Sequence, residues 1–247
     1  MQKRVFLIHG WEGKPDNHWF PWLTLELKAN GFEVSAPQMP HAGNPGVKEW
    51  LEFLKEYVGK PDKNTYFIGH SLGCITIARY LAKLSGITKI RNTPSASGIS
   101  SSKEGERKKE KVKVGGCVFV AGFSGRINVP EISEFYLPPH QIQQKDGMSA
   151  KVEGKTSNTK AKELITNKIW CGGELPFDSE KAKAHCDKFV MIFSNNDPYV
   201  PMEKSLEMAK QLGAKTILER GKGHFTAGDG VTALPSVLSV LLKFAKQ

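Results

Sequence analysis

The chain has 247 residues, 39% of them hydrophobic and 24% charged, which fits one or two globular domains and excludes a disordered or fibrous protein. Its net charge is +10, but residues 85–113 hold +5 of this and residues 141–168 a further +3. Both segments are rich in Ser, Gly, Lys and Glu and poor in the aromatic residues on which single-stranded nucleic acid stacks. They read as solvated, flexible insertions at about 85–113 and 140–168 within a single domain spanning 1–247, and no nucleic-acid partner is expected. The apolar run Val5–Ile8 is too short for a leader or a membrane span, and no other run approaches about 18 apolar residues. Cys74, Cys117, Cys171 and Cys186 form no C-x-x-C pair and no zinc-ligand spacing. They are expected to be reduced thiols of a cytoplasmic protein, with no metal and no cofactor.

In chain order, Arg4–Ile8 predicts a buried strand that ends at His9-Gly10. Asp16 or Asn17 is expected to cap a helix running to about Ala29, stopped by Asn30-Gly31. Phe32–Ala36 predicts a second strand. Asn44-Pro45 reads as a cap with Pro in the first turn, and Val47, Trp50, Leu51, Leu54 and Val58 follow at helical spacing. Thr65–Ile68 predicts a third strand running into Gly69-His70-Ser71-Leu72-Gly73 and then a helix to about Leu84. Gly116–Ala121, Phe189–Phe193 and Thr216–Leu218 predict three more strands, with helices over Met202–Leu212 and Ala233–Ala245. Residues 122–186 receive no element. Strands that are apolar throughout and alternate with helices predict an α/β fold: a doubly wound, mainly parallel six-stranded sheet with helices on both faces. Catalytic loops then belong at the carboxyl ends of its strands.

Gly69-x-Ser71-x-Gly73 stands where a strand turns sharply into a helix, the setting in which a serine becomes an exposed nucleophile. The glycines remove side-chain clashes from the turn, and the helix start offers unpaired N–H groups to an oxyanion. A serine hydroxyl needs a base. His224 lies after the last strand, and Asp197, just past the fifth, is the acid to orient it. The order Ser71, Asp197, His224 is that of an α/β-hydrolase. The backbone N–H groups of Trp11 and Leu72 are the expected oxyanion donors, with Gly10 allowing the close turn. His18, Trp19, His41 and Trp170 are candidate substrate contacts, and Trp11 is a further pocket candidate. His70 should point away from the nucleophile, Cys74 should be a buried hydrophobe, and Asp187 should sit at the wrong end of its strand. Trp22 and Trp50 read as core.

The stretches VFLIHGWEG, NHWFPWLTLEL, APQMPHAGNP, YFIGHSLGC, GCVFVAGFSG, FVMIFSNNDPYVP and KGHF resemble the small serine hydrolases grouped with retinoblastoma-binding protein 9 and the bacterial YdeN-type proteins. They run along most of residues 1–84, 114–139 and 169–247. The resemblance implies a compact α/β-hydrolase core without the extra N-terminal strands of larger relatives, and a triad that falls on Ser71, Asp197 and His224. The two insertions depart from the family pattern. The L-x-C-x-E partner-binding motif behind the family's name is missing, so that binding role does not carry over. The expected activity is cleavage of a small-molecule carboxylic ester, or a related acyl bond, through an acyl-enzyme. The alternative is a partner-binding protein on a hydrolase scaffold, in which the basic insertions recruit the partner.

Overall fold

The computed structural model describes residues 2–84, 111–129 and 177–246. The expected insertions at 85–113 and 140–168 lie outside these residues, apart from 111–113, and so do His140, Trp170 and Cys171. The elements in order are β1 (Lys3–Ile8), α1 (Phe20–Ala29), β2 (Phe32–Ser35), α2 (Val47–Val58), β3 (Thr65–His70) and α3 (Leu72–Ala82). They continue with β4 (Gly116–Val120), α4 (Ser179–His185), β5 (Phe189–Ser194), α5 (Met202–Leu212), β6 (Lys215–Glu219) and α6 (Pro235–Ala245).

The six strands form one sheet in the order β2-β1-β3-β4-β5-β6, every neighbouring pair parallel. β3, β4 and β5 are buried along their whole length, so their sequences are mostly apolar, with Thr65, His70 and Ser194 as buried polar residues at strand ends. Alternate residues still divide between two layers. Phe6 and Ile8 face a core built with α2, α3, α4 and α5, while Val5 and Leu7 face one built with α1 and α6. Helix α2 shows how the sequence specifies its own packing: Val47, Trp50, Leu51, Leu54 and Val58 are all buried. Burying each such side chain contributes about 1.5–3 kcal/mol. Trp50 is fully buried and its indole N–H donates to the Pro40 carbonyl at 2.7 Å; Trp22 packs partly buried against α1's side of the sheet.

Three helix starts differ from expectation; α6 begins at Pro235 rather than Ala233. Helix α1 begins at Phe20 rather than after Asp16 or Asn17, because His18 takes a left-handed backbone (φ 59°) that a helix cannot contain. Helix α2 is preceded by Gly46, not capped by Asn44; the Asn44 N–H instead closes a turn onto the His41 carbonyl. One helix was not expected: α4, whose first turn is capped by the Asp178 side chain accepting the Lys181 N–H at 3.0 Å.

Candidate active site

The carboxyl ends of β1, β3, β5 and β6 carry the loops of one cavity of about 260 Å³, whose walls include Gly10, Trp11, His18, Ser71, Tyr199 and His224. Ser71 links β3 to α3 with φ 52° and ψ −119°, in the region that disfavours any residue with a side chain. Such strain costs of order 1–3 kcal/mol and persists because the surroundings enforce it. The Ser71 N–H donates to the Val120 carbonyl at 2.8 Å, which ties the turn to the end of β4. A Cβ on Gly73 would lie 2.1 Å from the Ile8 carbonyl oxygen, so only glycine lets α3 start this close to the end of β1.

His224 Nδ1 donates to Asp197 Oδ2 at 2.7 Å, and both side chains are nearly buried. The other carboxylate oxygen, Oδ1, accepts the backbone N–H groups of Tyr199 and Val200, each at 2.9 Å, so it is fully engaged and Oδ2 is left for the imidazole. The loops carrying the two residues are laced together. The N–H groups of Gly221, Lys222 and Gly223 donate to the side chains of Asn195, Ser194 and Asn196 respectively. Asp229 stabilises the far side of the histidine loop: its Oδ2 accepts the N–H groups of His224 and Thr226 and the Thr226 hydroxyl. Burial works against the Asp229 charge, yet these hydrogen bonds outweigh it and hold the carboxyl below its usual range. Asp229 is thus a partner of the histidine loop's backbone and not of the His224 ring.

His9 organises the β1 end. Its Nε2 accepts the Met39 N–H at 2.9 Å, so the ring proton sits on Nδ1 and donates to the Gly10 carbonyl at 2.8 Å. That carbonyl also accepts the Gly13 N–H at 3.1 Å. In a trans peptide unit the N–H points opposite to the C=O, so fixing the Gly10 carbonyl fixes the direction of the Trp11 N–H. Neither the Trp11 nor the Leu72 amide has a protein acceptor among the described residues. Burial lowers the His9 pKa, against the pull of the Gly10 carbonyl, which keeps the ring neutral.

The remaining histidines differ in place. His70 is buried and its Nε2 donates to the His224 carbonyl at 2.8 Å; burial, then the neighbouring His224, pushes its pKa well down. It therefore holds the histidine loop, and it shares the cavity wall with Ser71 rather than lying apart from the site as expected. His18 lines the cavity. His41 does not: it lies on the surface, with its Nδ1 2.9 Å from Glu49 Oε1 and its side chain 76% exposed. The turn that carries it is fastened to α2 by the Trp50 indole. Trp19 is not a cavity residue either. It is fully buried behind the site, edge-on to Phe20 and to His70 at 4.7 and 6.0 Å between ring centres. His185 is buried away from the site with Nδ1 against the Val112 carbonyl, and Asp187 pairs with Lys113 ahead of β5.

Several cavity residues were not singled out from the sequence. Tyr199 meets the His224 ring edge-on at 5.2 Å, while Ile127 and Val129 supply apolar wall. The position of Tyr199, two residues past Asp197, was the one signal for it; nothing in the sequence marks Ile127 or Val129. Cys74 is fully buried, its thiol directed at the Val120 carbonyl and pushed far up by burial, so it cannot compete as a nucleophile. Among the described residues no cluster of three or more His, Cys, Asp or Glu could hold a metal ion, and no helix is long and apolar enough to cross a membrane.

Comparison with known proteins agrees with this architecture. The model of the serine hydrolase family matches residues 5–243. The YdeN protein of Bacillus subtilis (strain 168) is 28% identical over 99% of this chain and 97% of its own. The crystal structure of the ydeN gene product superposes with a TM-score of 0.67 at 26% identity, covering 100% of both chains. Est1E from Butyrivibrio proteoclasticus shares the fold, with a TM-score of 0.56 at 15% identity over 100% of this chain and 89% of that one. The chain belongs to the serine hydrolase family.

Proposed function

We propose that this serine hydrolase cleaves carboxylic esters, with Ser71 as nucleophile, His224 as general base and then general acid, and Asp197 as the group that orients His224. The observation that carries the reading is the 2.7 Å hydrogen bond between His224 Nδ1 and Asp197 Oδ2, at the wall of the same cavity in which the strained Ser71 stands. That bond keeps the imidazole proton on Nδ1 and leaves Nε2 with a lone pair to take a proton. Ser71 Oγ attacks the ester carbonyl carbon while its proton passes to His224 Nε2, and the carbonyl oxygen becomes an oxyanion. The free amides of Trp11 and Leu72 are the donors for it, each typically worth about 2.7–4 kcal/mol in the transition state. When the intermediate collapses, the carbon–alkoxy bond breaks and the alkoxide leaves with the proton from His224. Water then attacks the acyl-Ser71 ester, giving a proton to His224, and the acid departs as Ser71 regains its hydrogen. These steps call on no metal or organic cofactor. The free thiols Cys74, Cys117 and Cys186 fit a protein of a reducing compartment, for which we propose the cytoplasm.

Labelling with a fluorophosphonate probe, alongside hydrolysis of p-nitrophenyl esters, tests the assignment. Wild type is expected to label and to turn over, and Ser71→Ala to do neither while keeping its melting temperature. Full esterase activity in Ser71→Ala would overturn the assignment. A folded wild type that fails to label would favour the partner-binding alternative.

A further inference from the structure

We infer that His18 is a fixed hydrogen-bond donor to the substrate, and that the ester this enzyme takes therefore carries a second, neutral acceptor oxygen close to its scissile bond. The inference rests on the ester-hydrolase reading of the same cavity. His18 Nδ1 accepts the backbone N–H of Ala227 at 2.9 Å. A backbone amide only donates, so Nδ1 carries the lone pair and the ring proton is committed to Nε2. Among the described residues no protein atom accepts from that Nε2. His18 is part of the cavity wall with Ser71 and His224, and its ring lies 5.6 Å from the His70 ring. A second observation points the same way. His18 holds φ 59°, a backbone conformation that glycine or asparagine adopts more readily than histidine. Strain kept at a cavity wall marks a side chain whose placement matters more than its backbone comfort. Burial and the nearby His224 both lower the His18 pKa, outweighing Asp229, so the ring stays neutral and selects a carbonyl, ether or hydroxyl oxygen.

Two substitutions separate the two ring nitrogens. The Asn side-chain oxygen stands where Nδ1 stands, so His18→Asn keeps the acceptor for Ala227 and loses the cavity donor. The Gln amide nitrogen reaches as far as Nε2, so His18→Gln keeps the donor and loses the acceptor. Each is assayed on two ester pairs: p-nitrophenyl methoxyacetate against p-nitrophenyl butyrate, and 2-methoxyethyl butyrate against n-butyl butyrate. The members of each pair differ only by an oxygen in place of a methylene, on the acyl side in the first and the alcohol side in the second. Rates are normalised to hydroxide-catalysed hydrolysis, and thermal melting verifies that each variant is folded. Wild type should favour the oxygen-bearing ester in one pair by about 3–10-fold in kcat/KM, the size of one neutral hydrogen bond. That preference should vanish in His18→Asn and persist in His18→Gln, and the pair that shows it tells which side of the ester His18 reads. No preference in either pair would overturn the inference. So would a preference kept by His18→Asn and lost by His18→Gln, since the ring would then serve only to fasten Ala227. Fluorophosphonate labelling of wild type keeps the two levels apart: labelling without discrimination removes the role of His18 alone, whereas no labelling removes the hydrolase reading and this inference with it.

Discussion

The loops entering the cavity from β6 and from β1 are held in contrasting ways. Behind β6, Gly221, Lys222 and Gly223 each donate a backbone N–H to the Ser194-Asn195-Asn196 run at the end of the adjacent strand, and Asp229 fastens His224 and Thr226 from a few residues away. Behind β1, the loop through Gly10 and His18 is tied to the loop after β2 and to the segment beyond His224. His9 is set by the Met39 amide, the Glu12 N–H by the Ala42 carbonyl, and His18 by the Ala227 amide. It also carries the left-handed backbones of Glu12 and His18. A buried hydrogen-bonded pair proposed as base and orienting acid needs fixed geometry, because its worth would come from dipoles already in place before reaction. The β1 loop fixes the Trp11 amide through the Gly10 carbonyl, but a small retreat of that loop weakens a donor rather than removing a reacting group. The contrast predicts large, all-or-none losses in the first region and graded ones in the second.

The sharpest test of the first region is Asp197→Asn. The Asn oxygen can still accept the Tyr199 and Val200 amides, so the loop should keep its shape. The Asn amide donates to His224 Nδ1, however, and this forces the ring proton onto Nε2, where it cannot accept one from Ser71. A loss of about 10³–10⁴-fold in kcat with little change in melting temperature is expected. A loss below about tenfold would mean that another group orients His224. In the second region Gly10→Ala is the corresponding test. Its Cβ would lie 2.9 Å from Ser71 Cβ and 3.2 Å from the His70 carbonyl oxygen, and neither neighbour is a flexible chain end. The β1 loop must retreat and carry the Trp11 amide with it, costing about 10²-fold in kcat. Gly43→Ala is the control: it meets nothing within 4 Å and should stay near wild type. Equal kinetics for the two variants would break the proposed link between the β1 loop and the oxyanion.

The sheet was legible because its central strands are apolar on both faces, as in Phe189–Phe193, a pattern that only a strand covered on both sides requires. Ser71, Asp197 and His224 could be proposed together because each lies in the loop after a strand, β3, β5 and β6 in turn, and parallel strands bring those loops to one sheet edge. What failed turned on backbone states that residue type does not encode. His18 and His41 both adopt positive φ without being glycine, and each moved a helix start or turned a side chain away from its expected place. Trp19 and Trp11 were both pocket candidates, but packing against Phe20 and His70 buries the first, while the second is half-buried at the cavity. Helix α4 has only 7 residues, too few for a helical period to stand out, although Asp178 marks its start.

The contrast between the loops can also be sharpened through His70, which joins the nucleophile turn to the histidine loop through its Nε2–H and the His224 carbonyl. In the unfolded chain a histidine titrates near about 6.5, whereas burial and then His224 push the folded His70 well below that value. The unfolded state therefore binds a proton that the folded state refuses. The stability present above about pH 6.5 is lost as the pH falls through this window toward the folded pKa. His70→Gln keeps an N–H donor of the same reach and removes the titration. Wild type should lose melting temperature between about pH 7 and pH 5, and the variant should lose less over the same range. Some slope will remain, because His9 and His18 are shifted in the same direction by burial. Identical slopes would mean that His70 takes its proton without cost to the fold. His70→Leu gives the complementary readout: without the donor the His224 carbonyl is released, and kcat should fall further than in His70→Gln. Equal kcat in the two variants would show that the lacing from β5 and Asp229 holds His224 without help from the nucleophile turn.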